Sequence, residues 1–298
     1  MKTLNKSTEN IMKDVLIALM PAVAVGVYYF KTRAFLIILI SVLTCVLSEY
    51  AWQKLTKRKV TIKDLSAAVT GILLALNLSS EVPFWIPIVG GIFAVIIVKQ
   101  FFGGFGQNFM NPVLTARAFL VASWPSEVNK WVIDGVSAST PLQIIKKGSG
   151  TLPDMWNAFI GNTGGAIGET CALALIIGGI YLIWRRVISF RIPVSYLVTV
   201  YLLTWMIGRD GIMSTEPLYE ILIGGLMLGA IYMATDPSTS PKSKIGQYIM
   251  GIGCGVFTSI FRIYGGTPEG VSYAILVMNL FVPLIDKFTV KTKVLEVK

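Results

Sequence analysis

Ten apolar runs occupy most of the chain, at residues 15–30, 34–47, 65–78, 83–98, 112–123, 164–184, 193–207, 218–233, 246–260 and 271–285. Crossing about 30 Å of hydrocarbon takes roughly 20 apolar residues in a helix, because a backbone in lipid must satisfy its own N–H and C=O groups. Several runs are short or interrupted by Gly and Pro, yet together they constrain the chain to one class, an all-α integral membrane protein of about ten transmembrane helices. Composition agrees, since 54% of the 298 residues are hydrophobic and only 14% charged, too little polar surface to clothe a soluble domain. The first run has no small-residue cleavage site after it and is followed directly by another, so it is expected to be a retained span and not a signal peptide. A single membrane domain over 1–298 is the expectation.

Basic residues orient the spans, because cytoplasmic loops are enriched in Lys and Arg. With the amino terminus inside, eighteen of the 26 Lys and Arg fall in inner segments, among them Lys54, Lys57, Arg58, Lys59, Lys99, Arg185 and Arg186. Seven fall in outer segments, including Lys130, Lys146, Arg209 and Arg262, while Arg117 lies within a span. The asymmetry predicts both termini cytoplasmic and the longest loop, 124–163, external. It also accounts for the net charge of +10 without nucleic acid, since basic inner loops favour the anionic leaflet.

Ten spans divide into two groups of five, and the segment ends suggest an internal repeat. Residues 102–107 (FGGFGQ) and 264–269 (YGGTPE) register at a constant offset that continues through Leu114 with Leu276 and Phe119 with Phe281. An odd number of spans per half would invert the second half in the bilayer, as in many secondary transporters, with Gly-broken segments flanking a central site. Tight turns between helices would give the same glycines. The expected layout is repeat one at about 11–124, the external loop at about 124–163 and repeat two at about 164–288.

Histidine is absent, and Cys45, Cys171 and Cys254 lie far apart inside apolar runs. That pattern lacks the ligand spacing of zinc, haem or iron–sulfur sites and the base of a Ser/His/Asp triad, so the thiols are expected to be packed core residues and no metal or catalytic set is assigned. The glycines at 161, 164, 165 and 168 lack the preceding strand of a dinucleotide fold and a Walker lysine, and are expected to let a short helix at 155–160 pack closely.

The polar exception is WVIDGVSASTPL at 131–142, which puts Asp134, Ser137, Ser139 and Thr140 within seven residues. A Ser/Thr-rich turn that satisfies its own backbone is one reading and a modified, reactive loop is the other. Two more features stand out near the fifth run. Arg117 sits about six residues into it, where charge is costly and is kept for a partner. Asn108 and Asn111 would face the same way if helical, offering donors and acceptors to a flat ligand, or would instead cap the helix opening at Pro112.

The stretch Asp134-Gly135-Val136-Ser137-Ala138-Ser139-Thr140 resembles the flavinylation motif, roughly D-x-x-S-G-A-T, of a family that includes the D subunit of the Rnf ferredoxin:NAD oxidoreductase complex and the B subunit of sodium-translocating NADH:quinone reductase. Residues 102–112 with 117–119, residues 234–241 and residues 265–274 are also similar to the Rnf D subunit, so the resemblance covers roughly residues 13–288. The short segment before the first run favours the Rnf branch. Ala138 and Ser139 stand where Gly and Ala are more usual, and Thr140 is kept.

The resemblance implies FMN joined to Thr140 through a phosphoester, with Asp134, Ser137 and Ser139 around it and Ser139 a neighbouring hydroxyl. It also implies a second, non-covalent flavin, riboflavin in the related quinone-reductase protein, near Asn108 and Asn111. From its place within a span, Arg117 is expected to support flavin charge or the packing of the broken segment, or only to snorkel. The implied protein is an electron-carrying subunit of an ion-translocating complex in the bacterial inner membrane. Its partners would be the other Rnf subunits, a flavin transferase and the lipid bilayer, with no nucleic acid. A secondary transporter or channel with inverted repeats is the alternative that the residues alone leave open.

Overall fold

The computed structural model describes residues 7–133, 136–137, 140–147, 153–161, 164–207, 217–265 and 270–290. The chain opens with α1 (Thr8–Leu55), whose amino end is capped by Ser7, and α1 breaks at Lys31, where φ is 55° and ψ −145°, between the first two apolar runs. A 3-10 turn, Ile62–Asp64, leads into α2 (Ser66–Leu76), where the Asp64 carboxylate accepts the Ser66 N–H. Next come α3 (Trp85–Ile92), continuing as a π-helix over Phe93–Gln100, and α4 (Pro112–Ser123). The long loop holds α5 (Pro125–Val128), a two-residue antiparallel pair of β1 (Val132–Ile133) with β2 (Val136–Ser137), α6 (Pro141–Lys147) and α7 (Met155–Ile160). The second half holds α8 (Ala172–Trp184), α9 (Arg191–Ile207), α10 (Pro217–Leu222), α11 (Leu226–Leu228) running into a π-helix at Gly229–Met233, α12 (Lys244–Tyr264) and α13 (Val271–Thr289).

The outer surface is unlike that of a water-soluble protein. Leu43, Leu47, Ile177, Ile180, Val194, Val198 and Leu202 are exposed on helix faces, whereas Glu49, Lys99, Glu220 and Arg262 are each at most 2% exposed. Apolar side chains outside and paired charges inside suit a bilayer as solvent, and the chain is a membrane protein built of apolar helices. Two described helices, α1 and α13, are long and apolar enough to cross a membrane unaided; α2, α4, α8 and α9 are apolar but shorter. Cys45, Cys171 and Cys254 are all buried and free.

The helices α2 and α10 end inside the protein, where their last carbonyls need partners. Beyond α2, Asn77, Leu78, Ser79 and Ser80 are buried without helical structure. The Ile167 N–H donates to Leu78 O at 2.9 Å and the Gly168 N–H to Leu76 O at 2.8 Å, so a segment from the second half closes the end of α2. Gly168 is required there, since a Cβ would lie 2.6 Å from Leu76 Cβ. The end of α10 is closed by Arg262, which donates to Glu220 O at 2.6 Å and to Ile223 O at 3.2 Å. Irregular backbone at membrane depth is tolerated where protein surrounds it in this way.

Candidate functional site

Both π-helices contribute a residue near their end to one cleft, Lys99 and Tyr232. Single π turns inside helices recur at functional sites, because the extra residue per turn redirects the side chains that follow. The first sets Lys99 and Gln100 against the interior. Lys99 Nζ donates to Glu49 Oε2 at 2.9 Å and to Ser66 Oγ at 2.6 Å, and Gln100 Nε2 donates to Glu49 Oε1 at 2.8 Å. Gly103, Gly104 and Gly106 then turn the chain with φ of 114°, 100° and 84°, values that only glycine adopts without strain.

The cleft is partly open and is lined by both polar and apolar groups. Lys99, Asn108, Asp236 and Ser238 supply polar groups, and Met12, Val15, Leu182, Val187 and Ile188 supply apolar ones. Asn108 Nδ2 donates to Met110 O at 2.9 Å and to Ser238 Oγ at 3.3 Å, and its Oδ1 accepts no hydrogen bond from the described residues. Asp236, in the loop after the second π-helix, accepts the Ser238 N–H and hydroxyl. Burial pushes its carboxyl above the ordinary carboxylate value, and the hydrogen bonds from Ser238 and Thr239 oppose that shift.

Of the two arrangements open to Asn108 and Asn111, a shared helical face and a cap on the helix opening at Pro112, the structure has the cap, at Asn111. Asn111 is the N-cap of α4, with φ −66° and ψ 119°, and Asn108 lies in the loop before it. Pro112 explains the difference, because its ring drives the preceding residue out of the helical region while fitting the first helical position itself. Asn111 Oδ1 accepts from the N–H groups of Val113 and Leu114 at 3.0 and 3.2 Å, and its Nδ2 donates to Met233 O at 3.3 Å. Asn111 thus caps the helix and still lines the cleft.

Thr140 begins α6 in a capping box. Its Oγ1 accepts the Gln143 N–H and its own N–H donates to Gln143 Oε1, both at 3.2 Å. The residue is 6% exposed and lines a second, small cavity with Gly164, Glu169, Ile223 and Gly224. Glu169 is buried there; Arg117 Nη2 is 3.9 Å from its Oε1, and Arg117 Nη1 donates to Ser272 Oγ at 2.9 Å. Arg262 Nη2 lies 3.3 Å from the point that a Cβ on Gly224 would occupy. Six residues of α4, about 9 Å at 1.5 Å per residue, separate Asn111 at the cleft from Arg117, whose partner Glu169 reaches the Thr140 cavity. Ser137 lies in β2, and Asp134 and Ser139 fall outside the described residues.

The sequence model of the NQR2, RnfD, RnfE family matches residues 3–294. The chain belongs to the NQR2, RnfD, RnfE family. Curated relatives that resemble it include the D subunit of the Na(+)-translocating ferredoxin:NAD(+) oxidoreductase complex of Acetobacterium woodii, 49% identical over 95% of this chain and 89% of that protein. The proton-translocating counterpart from Clostridium ljungdahlii is 39% identical over 97% and 92%. The D subunit of the ion-translocating oxidoreductase complex of an Escherichia coli O127:H6 strain is 32% identical over 95% and 93%.

Within this NQR2, RnfD, RnfE family chain, sequence reasoning misses most of the site's supporting charges. Lys99 and Arg262 are not loop residues that report orientation. Both are buried in ion pairs, with Glu49 at 2.9 Å and Glu220 at 3.0 Å, which removes one residue from each side of the charge comparison and leaves its asymmetry. Glu169 and Glu220 carry the same signal as Arg117, a charge inside an apolar run. Asn279, whose Oδ1 holds the Asn111 N–H, carries no signal of its own.

Proposed function

We propose that this protein is a flavin-carrying membrane subunit of an ion-translocating ferredoxin:NAD oxidoreductase complex, and that it passes electrons between two flavins held at the two cavities joined by α4. Membership of the NQR2, RnfD, RnfE family and identity with subunits of sodium- and proton-translocating complexes support the assignment to such a complex. Bound flavin supplies the electron-carrying chemistry, and no active site for ferredoxin or NAD is assigned to this chain.

The observation that carries the reading is the pairing of a threonine hydroxyl at one cavity with a larger cleft at the start of α4, the two linked through Arg117 of α4 and its neighbour Glu169. Thr140 lines a small cavity out of which FMN would extend, and as an ester oxygen its Oγ1 could still accept the Gln143 N–H. The cleft at Asn108 and Asn111 offers a polar edge and an apolar wall, which suits the amide edge and the fused rings of a flavin that is not covalently bound. Arg117 and Glu169 place a charge pair between the two.

An inverted repeat is part of the same proposal. Asn111 meets Asn279 and Arg117 meets Ser272 across α4 and α13. At the offset that pairs Leu114 with Leu276, the first contact maps onto residues 273 and 117, one residue from the second. The remaining parts are ten spans in the bacterial inner membrane, both termini cytoplasmic, Thr140 external, the other Rnf subunits as neighbours and a flavin transferase for maturation.

Helices that end inside the membrane also suit a secondary transporter, the alternative reading. In-gel flavin fluorescence of the denatured chain separates the two. A fluorescent band at the mass of this chain supports the flavoprotein; a colourless purified chain that moves solute would replace it with the transporter.

A further inference from the structure

We infer that Lys99 is a redox-tuning residue of the cleft, a fixed positive charge that favours the reduced over the oxidised form of the flavin proposed to bind there. The inference rests on the flavin reading of the cleft and goes beyond it by naming the group that sets the potential.

Lys99 is 2% exposed, yet it forms part of the cleft wall. An ammonium has three N–H donors. Two are committed to Glu49 Oε2 and Ser66 Oγ, which fixes the nitrogen in place and leaves one N–H for a ligand. The counter-ion is itself tied down from the far side. Glu49 Oε1 accepts from Gln100 Nε2 at 2.8 Å and from Gln53 Nε2 at 3.3 Å, and Gln53 also donates to Thr61 Oγ1 at 2.8 Å. Glu49 is completely buried and does not line the cleft, so a ligand in the cleft meets the cation and not the anion. The remaining charged group on the wall is Asp236, which is hydrogen-bonded to Ser238.

The chemistry follows from charge. Two electrons from a neighbouring carrier of the complex and one proton from water at the cleft mouth convert a neutral isoalloxazine into a monoanion with its charge on the pyrimidine edge. A cation beside that edge stabilises the product and leaves the neutral reactant nearly unaffected, which raises the potential. A low-polarity wall built from Met12, Val15 and Leu182 strengthens the effect by limiting screening.

The test is a reductive titration of the purified complex, following the releasable flavin and using the covalent flavin as internal reference. Lys99→Met alone would strand Glu49, so it is combined with Glu49→Gln, which removes both charges at nearly constant volume; Lys99→Arg keeps the charge. The double variant is expected to weaken reduced relative to oxidised binding at least tenfold, a fall of about 30 mV for a two-electron couple, with the covalent flavin unmoved and Lys99→Arg close to wild type. Loss of the releasable flavin from the double variant but not from Lys99→Arg again supports a charge contact. An unchanged potential at full occupancy, or loss of the flavin from both variants, overturns the inference. Absence of any releasable flavin from the wild-type complex is a different result, because it removes the cleft's flavin and not merely its tuning.

Discussion

Asn279 Oδ1 accepts the backbone N–H of Asn111 at 3.1 Å, so a side chain in α13 holds the residue that starts α4 and lines the cleft. The same amide donates through Nδ2 to Thr239 O at 3.1 Å, in the loop that carries Asp236 and Ser238. One buried side chain therefore fixes two walls of the cleft relative to each other.

Asn279→Leu should leave the Asn111 N–H buried without a partner, which costs about 1–3 kcal/mol. The expected outcome is a lower unfolding temperature in detergent and loss of releasable flavin, with covalent flavin retained. Full retention of both flavins would show that the cleft does not depend on this contact.

Thr140→Ala should abolish covalent flavin, and Thr140→Ser should keep it. Loss of the N-cap oxygen costs about 1 kcal/mol, too little to unfold the chain, so absence of the adduct would report chemistry and not folding. Mass spectrometry of the denatured chain decides it. An FMN adduct persisting in Thr140→Ala would move the attachment to Ser139.

Arg117→Ala removes one partner of Glu169, which keeps the Ala166 N–H, and the hydrogen bond to Ser272, both in buried surroundings. Breaking a buried ion pair from one side costs up to about 3–5 kcal/mol, so stability should fall more than in Arg117→Lys. Turnover of fully flavinylated complex is expected to drop roughly tenfold, equivalent to about 1.4 kcal/mol of barrier. Unchanged turnover in that material would confine Arg117 to packing.

Asn129 and Lys59 are exposed in loops on either side of α4 and α2, and the native cysteines are all buried, so background labelling should be low. In intact cells a cysteine at Asn129 is expected to react with an impermeant maleimide and one at Lys59 only after lysis. The reverse pattern would invert the proposed orientation.

Signals that are local in the chain are legible in the sequence. Thr140 stands out because its hydroxyl neighbours and Pro141 are adjacent, and its capping partner Gln143 is only three residues on. The break at Lys31 falls between two apolar runs for the same reason. What the sequence hides depends on distant partners. Lys99 follows an apolar run and so resembles a loop charge, until α1 and α2 bring Glu49 and Ser66 to it. Glu169 and Arg117 are separately conspicuous in apolar runs, but nothing in their spacing pairs them. At Asn108 and Asn111 the sequence leaves a helical face and a cap both open, and Pro112, which starts α4, decides for the cap at Asn111.

Thr140, buried at the start of α6, sets an order of events for the newly made chain. Its hydroxyl is engaged with Gln143, and Lys146 of the same short helix donates to Gly265 O at the end of α12, so α6 is fastened to the second half of the protein. An enzyme large enough to deliver a nucleotide cannot reach a side chain in that position. On the proposed attachment of FMN to Thr140, esterification would belong to a window before α6 docks or while it is lifted, and maturation would become a competition between docking the helix and loading the residue beneath it.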